Sequence, residues 1–287
     1  MSIGLSAEST IDLDPEHLEK YKISILHFHV QEGKKAGFDN EFTNEGLFDF
    51  TLKTGQICHT SACNVDELEA HFAAIHKQYD HLIHFTISSA LSSGFNNACV
   101  ASKGASSIAV IDSHGTSGGI ALLAIYAHEL VEAGYDFDRV VALVLERRKA
   151  LECSFIIDRL DFLYKGGRCS KLALIGANIL RLRPVIICDA EGRFAIGKKY
   201  RGSTQKCIWN YVDDLLTDYP KIDKKLCFID YATIEPATLV GIQERLRHFG
   251  FREIQTYQAC PTNSYHAGPN AIGIHFLYDG EHPVKPI

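Results

Sequence analysis

No stretch of this chain is both long and uninterruptedly apolar. The greasiest segment, residues 172–188, is broken by Asn178, Arg181, Arg183 and Pro184, too often for a membrane span. Basic runs are missing as well. At a net charge of −6 the Lys and Arg residues are scattered among acids, which argues against DNA or RNA as a partner. Residues 1–8 carry no positive segment ahead of an apolar core, so they are not read as a signal peptide, and the expected compartment is the cytoplasm. The nine cysteines are odd in number and contain no Cys-x-x-Cys pair, which favours reduced thiols over a disulfide framework. Cys58-His59 with Cys63, or His27 with His29, offer zinc-type donors, but neither makes a four-ligand set at structural-site spacing, and no metal is expected. Also lacking are a Gly-Lys-Ser/Thr phosphate loop, a Gly-x-Gly-x-x-Gly fingerprint, a Gly-x-Ser-x-Gly elbow and internal repeats.

What is there begins with material for a core: 46% of the 287 residues are apolar, enough for one large or two ordinary domains. Residues 85–98 read as strand, hydroxyl-rich turn and helix start. The first N–H groups of a helix lack intrahelical partners and carry partial positive charge, so this turn suits an anion, with Ser89, Ser92 and Ser93 as further donors. Plain capping and turn formation explain the same serines. The plan repeats at residues 108–134, with a strand, a turn at 112–117 and a long helix. Alternating strands and helices predict a parallel sheet with crossover helices, ligands binding at the carboxyl ends of the strands.

Elsewhere the pattern predicts a strand over 23–30, a helix over 44–53 capped by Thr43 or Asn44, a loop over 59–64 and a helix from Val65. A helix over 136–151 follows, and then a second domain opens. Lys165-Gly166-Gly167-Arg168 reads as a turn thrusting its arginine outward, and 172–180 as an apolar helix. Antiparallel strands around the turn 189–192, helices at 204–217 and 236–249, and strands at 226–229 and 251–257 complete an α/β pattern. The division is placed at 1–152 and 153–287.

Six motifs in register resemble the DegV family of bacterial fatty-acid-binding proteins over nearly the whole chain. They are Glu8-Ser9-Thr10-Ile11-Asp12-Leu13, Thr60-Ser61-Ala62-Cys63-Asn64, residues 87–94, residues 112–119, Lys165–Arg168 with Arg183-Pro184, and residues 266–273. The resemblance implies a two-domain α/β fold: an N-terminal parallel-sheet, Rossmann-like domain, a C-terminal mixed-sheet domain, and a lipid tunnel at or beside their interface. It also implies a binding protein and not an enzyme. The implied ligand is a long-chain free fatty acid, with no cofactor, whose carboxylate the resemblance would have presented to a separate ATP-dependent fatty acid kinase for acyl-phosphate formation. Transient contact with a membrane surface is compatible with that role.

Carried over position by position, Thr60, Ser92 and His266 look like the carboxylate contacts, with Ser61 and Ser93 beside them. Arg168 and Arg201 look like partner-binding arginines. Phe28, Phe95, Ile175, Ile179, Ile272 and Phe276 are candidates for the tunnel wall, though ordinary core packing accounts for any one of them more readily. This sequence departs from the family at Ala62-Cys63-Asn64, Ser93-Gly94 and Asn270, which alters the rim of the site. The rival from another class is a serine-dependent lipid ester hydrolase, with Ser92 as nucleophile, His266 as base and Asp112 as orienter.

Overall fold

The computed structural model describes residues 2–168, 182–217 and 221–279. In chain order the first half contains β1 (Ile3–Glu8), α1 (Pro15–Lys20), β2 (Ile23–Leu26), β3 (His29–Glu32), β4 (Lys35–Phe38), α2 (Asn44–Thr54), β5 (His59–Ser61), α3 (Val65–Ile75), β6 (His81–Thr86), α4 (Gly94–Ala101), β7 (Ile108–Asp112), α5 (Gly118–Glu132) and α6 (Phe137–Arg147). The second contains β8 (Leu151–Ile156), α7 (Leu160–Lys165), β9 (Leu182–Cys188), β10 (Phe194–Arg201), α8 (Thr204–Thr217), β11 (Ile222–Tyr231), α9 (Pro236–Phe249), β12 (Glu253–Gln258), α10 (Pro261–Ala267) and β13 (Ile272–Tyr278).

Among the described residues the strands form three sheets. The order β2-β1-β6-β7 is parallel throughout, as alternating strands and helices require. The order β10-β9-β8-β13-β11-β12 is mixed, with β11 and β12 its parallel pair. A small antiparallel sheet, β4-β3-β5, shares no strand pairing with either but joins the mixed sheet through a core cluster that holds Val30 together with Phe155 and Ile186. The α/β class with one parallel and one mixed sheet is therefore as expected.

Two sequence expectations change here. Residues 23–30 are not one strand: between β2 and β3 the Phe28 N–H donates to Ser9 Oγ, and the Phe28 carbonyl accepts from the Asp39 N–H, which takes the chain out of the first sheet. Residues 59–61 are not loop, because Val30 pairs with Thr60 across β3 and β5. Thr43 does cap α2, its side chain accepting from the Gly46 N–H. The expected helix over 172–180 lies outside the described residues, as do Ile175 and Ile179.

Helix α5 holds the large sheets together. Ten of its fifteen residues are buried, and a helix apolar nearly all round belongs in an interior. It packs on β1 and β6 on one side and on β8, β11 and β13 on the other. One core cluster accordingly joins Leu5, Ile83 and Ile111 to Cys153, Phe228 and Leu277. Close approach at its first turn needs glycine: a Cβ on Gly118 would lie 2.5 Å from Phe228 Cβ. Asp12 fixes the same end. It takes a hydrogen bond from Ser117 and, at 2.8 Å each, from Asn263 Nδ2 and the Cys260 N–H, tying the loop after β1 to α5 and α10.

Candidate ligand-binding site

Strand pairing sets the first polar residue of the site. Thr60 lies in β5 opposite Val30, and its Oγ1 is 2.7 Å from His266 Nε2 on α10. The ring fits because Gly166 closes α7 without a side chain; a Cβ there would come within 2.4 Å of His266 Nδ1. Among the described residues Nδ1 is itself buried without a hydrogen-bond partner. Burial first, and the Arg168 guanidinium second, pull the His266 pKa down to about 3, so the ring is neutral at ordinary pH. A neutral ring whose Nε2–H donates to Thr60 leaves the threonine hydroxyl hydrogen free to point at an acceptor.

Thr60, Ser61, Ser92, Arg168 and His266 line one cavity of about 790 Å3, part of it open to solvent. Its walls are apolar, with Phe28, Ile87, Leu91, Phe155, Leu163 and Ile272 drawn from both halves of the chain. Ser92 sits in the turn before α4, where its Oγ also accepts the Gly94 N–H at 3.1 Å, so it works as turn former and lining residue together. Of the expected wall residues, Phe28 and Ile272 line the cavity, whereas Phe276 is fully buried in the core beyond it. Phe95 is not among the lining residues.

Arg168 does not point outward as expected. Its Nη1 donates to the Gly166 carbonyl at 2.5 Å, which folds the side chain back over the turn and onto the cavity wall. Ser93 is exposed at the N-cap of α4 and, like Arg201 at the exposed end of β10, is not among the cavity-lining residues. The hydrolase arrangement does not assemble either. Thr60 holds His266 Nε2, while Asp112 accepts from the backbone N–H groups of Ser89 and His114. As for metal, His29, Cys63 and Glu67 bring donor atoms within 4.8 Å of one another. In the structure Glu67 Oε1 lies 2.8 Å from His29 Nε2, and the Cys63 thiol donates to the His27 carbonyl.

Sequence reasoning missed a polar floor. Asp230 and His275 line the cavity and pair at 2.6 Å, both almost fully buried, and Thr262, Asn263 and Ser264 join them from α10. Asp230 faces Gly273 across β11 and β13, so His275 is its diagonal neighbour; without that register nothing in the spacing marks the two as partners.

The same architecture recurs in solved structures. A fatty-acid-binding DegV family protein of Thermus thermophilus superposes with a TM-score of 0.87 at 21% identity, covering 97% of this chain and all of the other. The fatty acid kinase (Fak) B3 protein of Streptococcus pneumoniae, solved with linoleic acid, gives 0.83 at 19% identity over 97% of this chain and 100% of the other. In sequence, a fatty acid-binding protein of Thermotoga maritima is 28% identical over 95% of this chain and 96% of its own length. The DegV family model matches residues 2–279, and the chain belongs to the DegV family.

Proposed function

We propose that this protein binds a long-chain free fatty acid in the cavity and presents its carboxylate to a separate fatty acid kinase, without transforming the ligand itself. The observation that carries the reading is the Thr60–His266 pair set in a cavity with apolar walls and a polar floor that also contains Ser92 and Arg168. Apolar walls supply the affinity: at ~0.8 kcal/mol per buried methylene, a sixteen-carbon tail gains on the order of ten kcal/mol before ordering costs. The carboxylate leaves water as the tail enters and must be hydrogen-bonded to avoid a penalty of several kcal/mol. Thr60, with His266 behind it, and Ser92 are the donors we assign, with Ser61 at the rim and the Arg168 charge completing the site. The exposed Ser93 and Arg201 have no cavity contact to give; Arg201 retains only a surface role toward a partner.

The bound acids named for DegV relatives support the ligand class, and the Fak B3 protein supports the kinase as partner. Denaturing extraction of recombinant protein followed by mass spectrometry tests the first step. The expected result is a near-stoichiometric long-chain fatty acid, whose buried tail supplies the affinity. Well-folded material that neither carries an acyl chain nor takes one up on incubation would end the reading.

A further inference from the structure

A row of residues crossing the six-stranded sheet brings two thiols up to a charged histidine. β8 pairs with β13 so that Cys153 stands opposite His275. On the other side, Ser154 stands opposite Ile187 in β9, which puts Cys188 opposite Cys153 one step further along. Residues directly opposite in antiparallel strands share a face. Accordingly the Cys188 thiol donates to Cys153 Sγ at 3.4 Å, and His275 Nε2 lies 2.6 Å from Asp230 Oδ2. Burial disfavours the imidazolium of His275, but the charges of Asp230 and Cys153 outweigh it and raise the pKa to about 10. The hydrogen bond from Cys188, acting against burial and aided by the His275 charge, brings Cys153 down to about 5. A thiolate and a thiol therefore face each other at neutral pH, and the thiolate is the reactive form. Cys153 is buried and Cys188 partly exposed, so a small solute reaches the pair only from the Cys188 side.

We propose that Cys153 and Cys188 are an oxidation site for small hydroperoxides, with Cys153 the attacking sulfur and Cys188 the resolving one. In the first step Cys153 Sγ attacks a peroxide oxygen. The O–O bond breaks, the sulfur keeps that oxygen as sulfenic acid, and the departing hydroxide or alkoxide takes up a proton. In the second, the Cys188 thiol attacks the Cys153 sulfur; the S–S bond forms, the S–O bond breaks, and the hydroxide leaves with the Cys188 proton as water. The sulfurs lose two electrons and the peroxide gains them. Closing from 3.4 Å to a bond of about 2.05 Å is within side-chain rotation for paired strands. The inference rests on sheet register and sulfur geometry, independent of what occupies the cavity.

Hydrogen peroxide is the probe, applied to reduced wild-type protein, followed by alkylation and peptide mapping. The expected product is a Cys153–Cys188 disulfide, reversed by dithiothreitol, while Cys99 in the same sample is still alkylated. Cys99 is the internal control because the residue is exposed, while partial desolvation of its thiol and the Asp112 charge hold its pKa up. In Cys188→Ser the second step is blocked, and dimedone should label Cys153. Both thiols alkylated after peroxide, or a folded Cys188→Ser variant without dimedone on Cys153, would overturn the assignment.

Discussion

Thr60 Oγ1 and His266 Nε2 lie 2.7 Å apart across 206 positions of sequence. If the ring orients the hydroxyl toward a carboxylate, the two side chains act as one donor. Thr60→Val and His266→Ala should each weaken fatty acid binding about tenfold or more, the cost of losing a hydrogen bond to a charged group. The double variant should lose little beyond either single one, and a double-mutant cycle by fluorescent fatty acid displacement reads this directly. Additive losses would mean that the residues bind separately.

Gly166 makes a sharper test because it is not among the residues that line the cavity. Its φ is ordinary, so what alanine changes there is steric: the new Cβ would press to 2.4 Å from His266 Nδ1. Gly166→Ala should keep its circular dichroism spectrum and lose most of its retained acid. Retention equal to wild type would show that the ring's position does not matter for binding.

The parallel sheet, the helices at 204–217 and 236–249 and the Thr43 cap were legible because each rests on local periodicity or capping chemistry. Thr60, Ser92 and His266 were legible through motif resemblance alone; composition does not distinguish them from any other threonine, serine or histidine. Asp230 and His275 escaped notice because their pairing depends on the register of β11 against β13. Arg168 was misread for a related reason. A Lys-Gly-Gly-Arg turn looks exposed in sequence, and only the hydrogen bond to the Gly166 carbonyl shows the side chain doubling back.

That inward position gives Arg168 two effects to separate. Its charge helps hold His266 neutral, and as a partly exposed group it is still within reach of a partner. Arg168→Ala should reduce fatty acid affinity only a few-fold, the scale of a partly solvated charge interaction. Acyl-phosphate formation in the presence of the kinase should fall much further. Measuring both on the same preparation decides the matter: equal losses would confine this arginine to the pocket.

Glu8 gives the fold a pH dependence of its own. The side chain is buried at the end of β1, where its Oε2 accepts the Ile87 N–H at 2.8 Å and Gly94 leaves room for the carboxyl group. Burial, opposed by that hydrogen bond and assisted by the Asp112 charge, raises its pKa from 4.5 to about 8. Between those values the folded chain keeps a proton that the unfolded chain has released. The stabilisation from Glu8 is therefore complete below pH 4.5 and is lost as pH rises to about 8, at up to ~1.4 kcal/mol per pH unit. Asp12 adds a slope of the same sign, since burial and Asp230 raise its pKa as well. Glu8→Gln copies the protonated form, so its urea midpoint should change less than that of wild type between about pH 5 and about pH 8. The variant should be the more stable of the two at the alkaline end, with the remaining slope shared by Asp12 and the other shifted groups, His275 among them. Parallel curves for the two proteins would mean that Glu8 is ionised in the folded state.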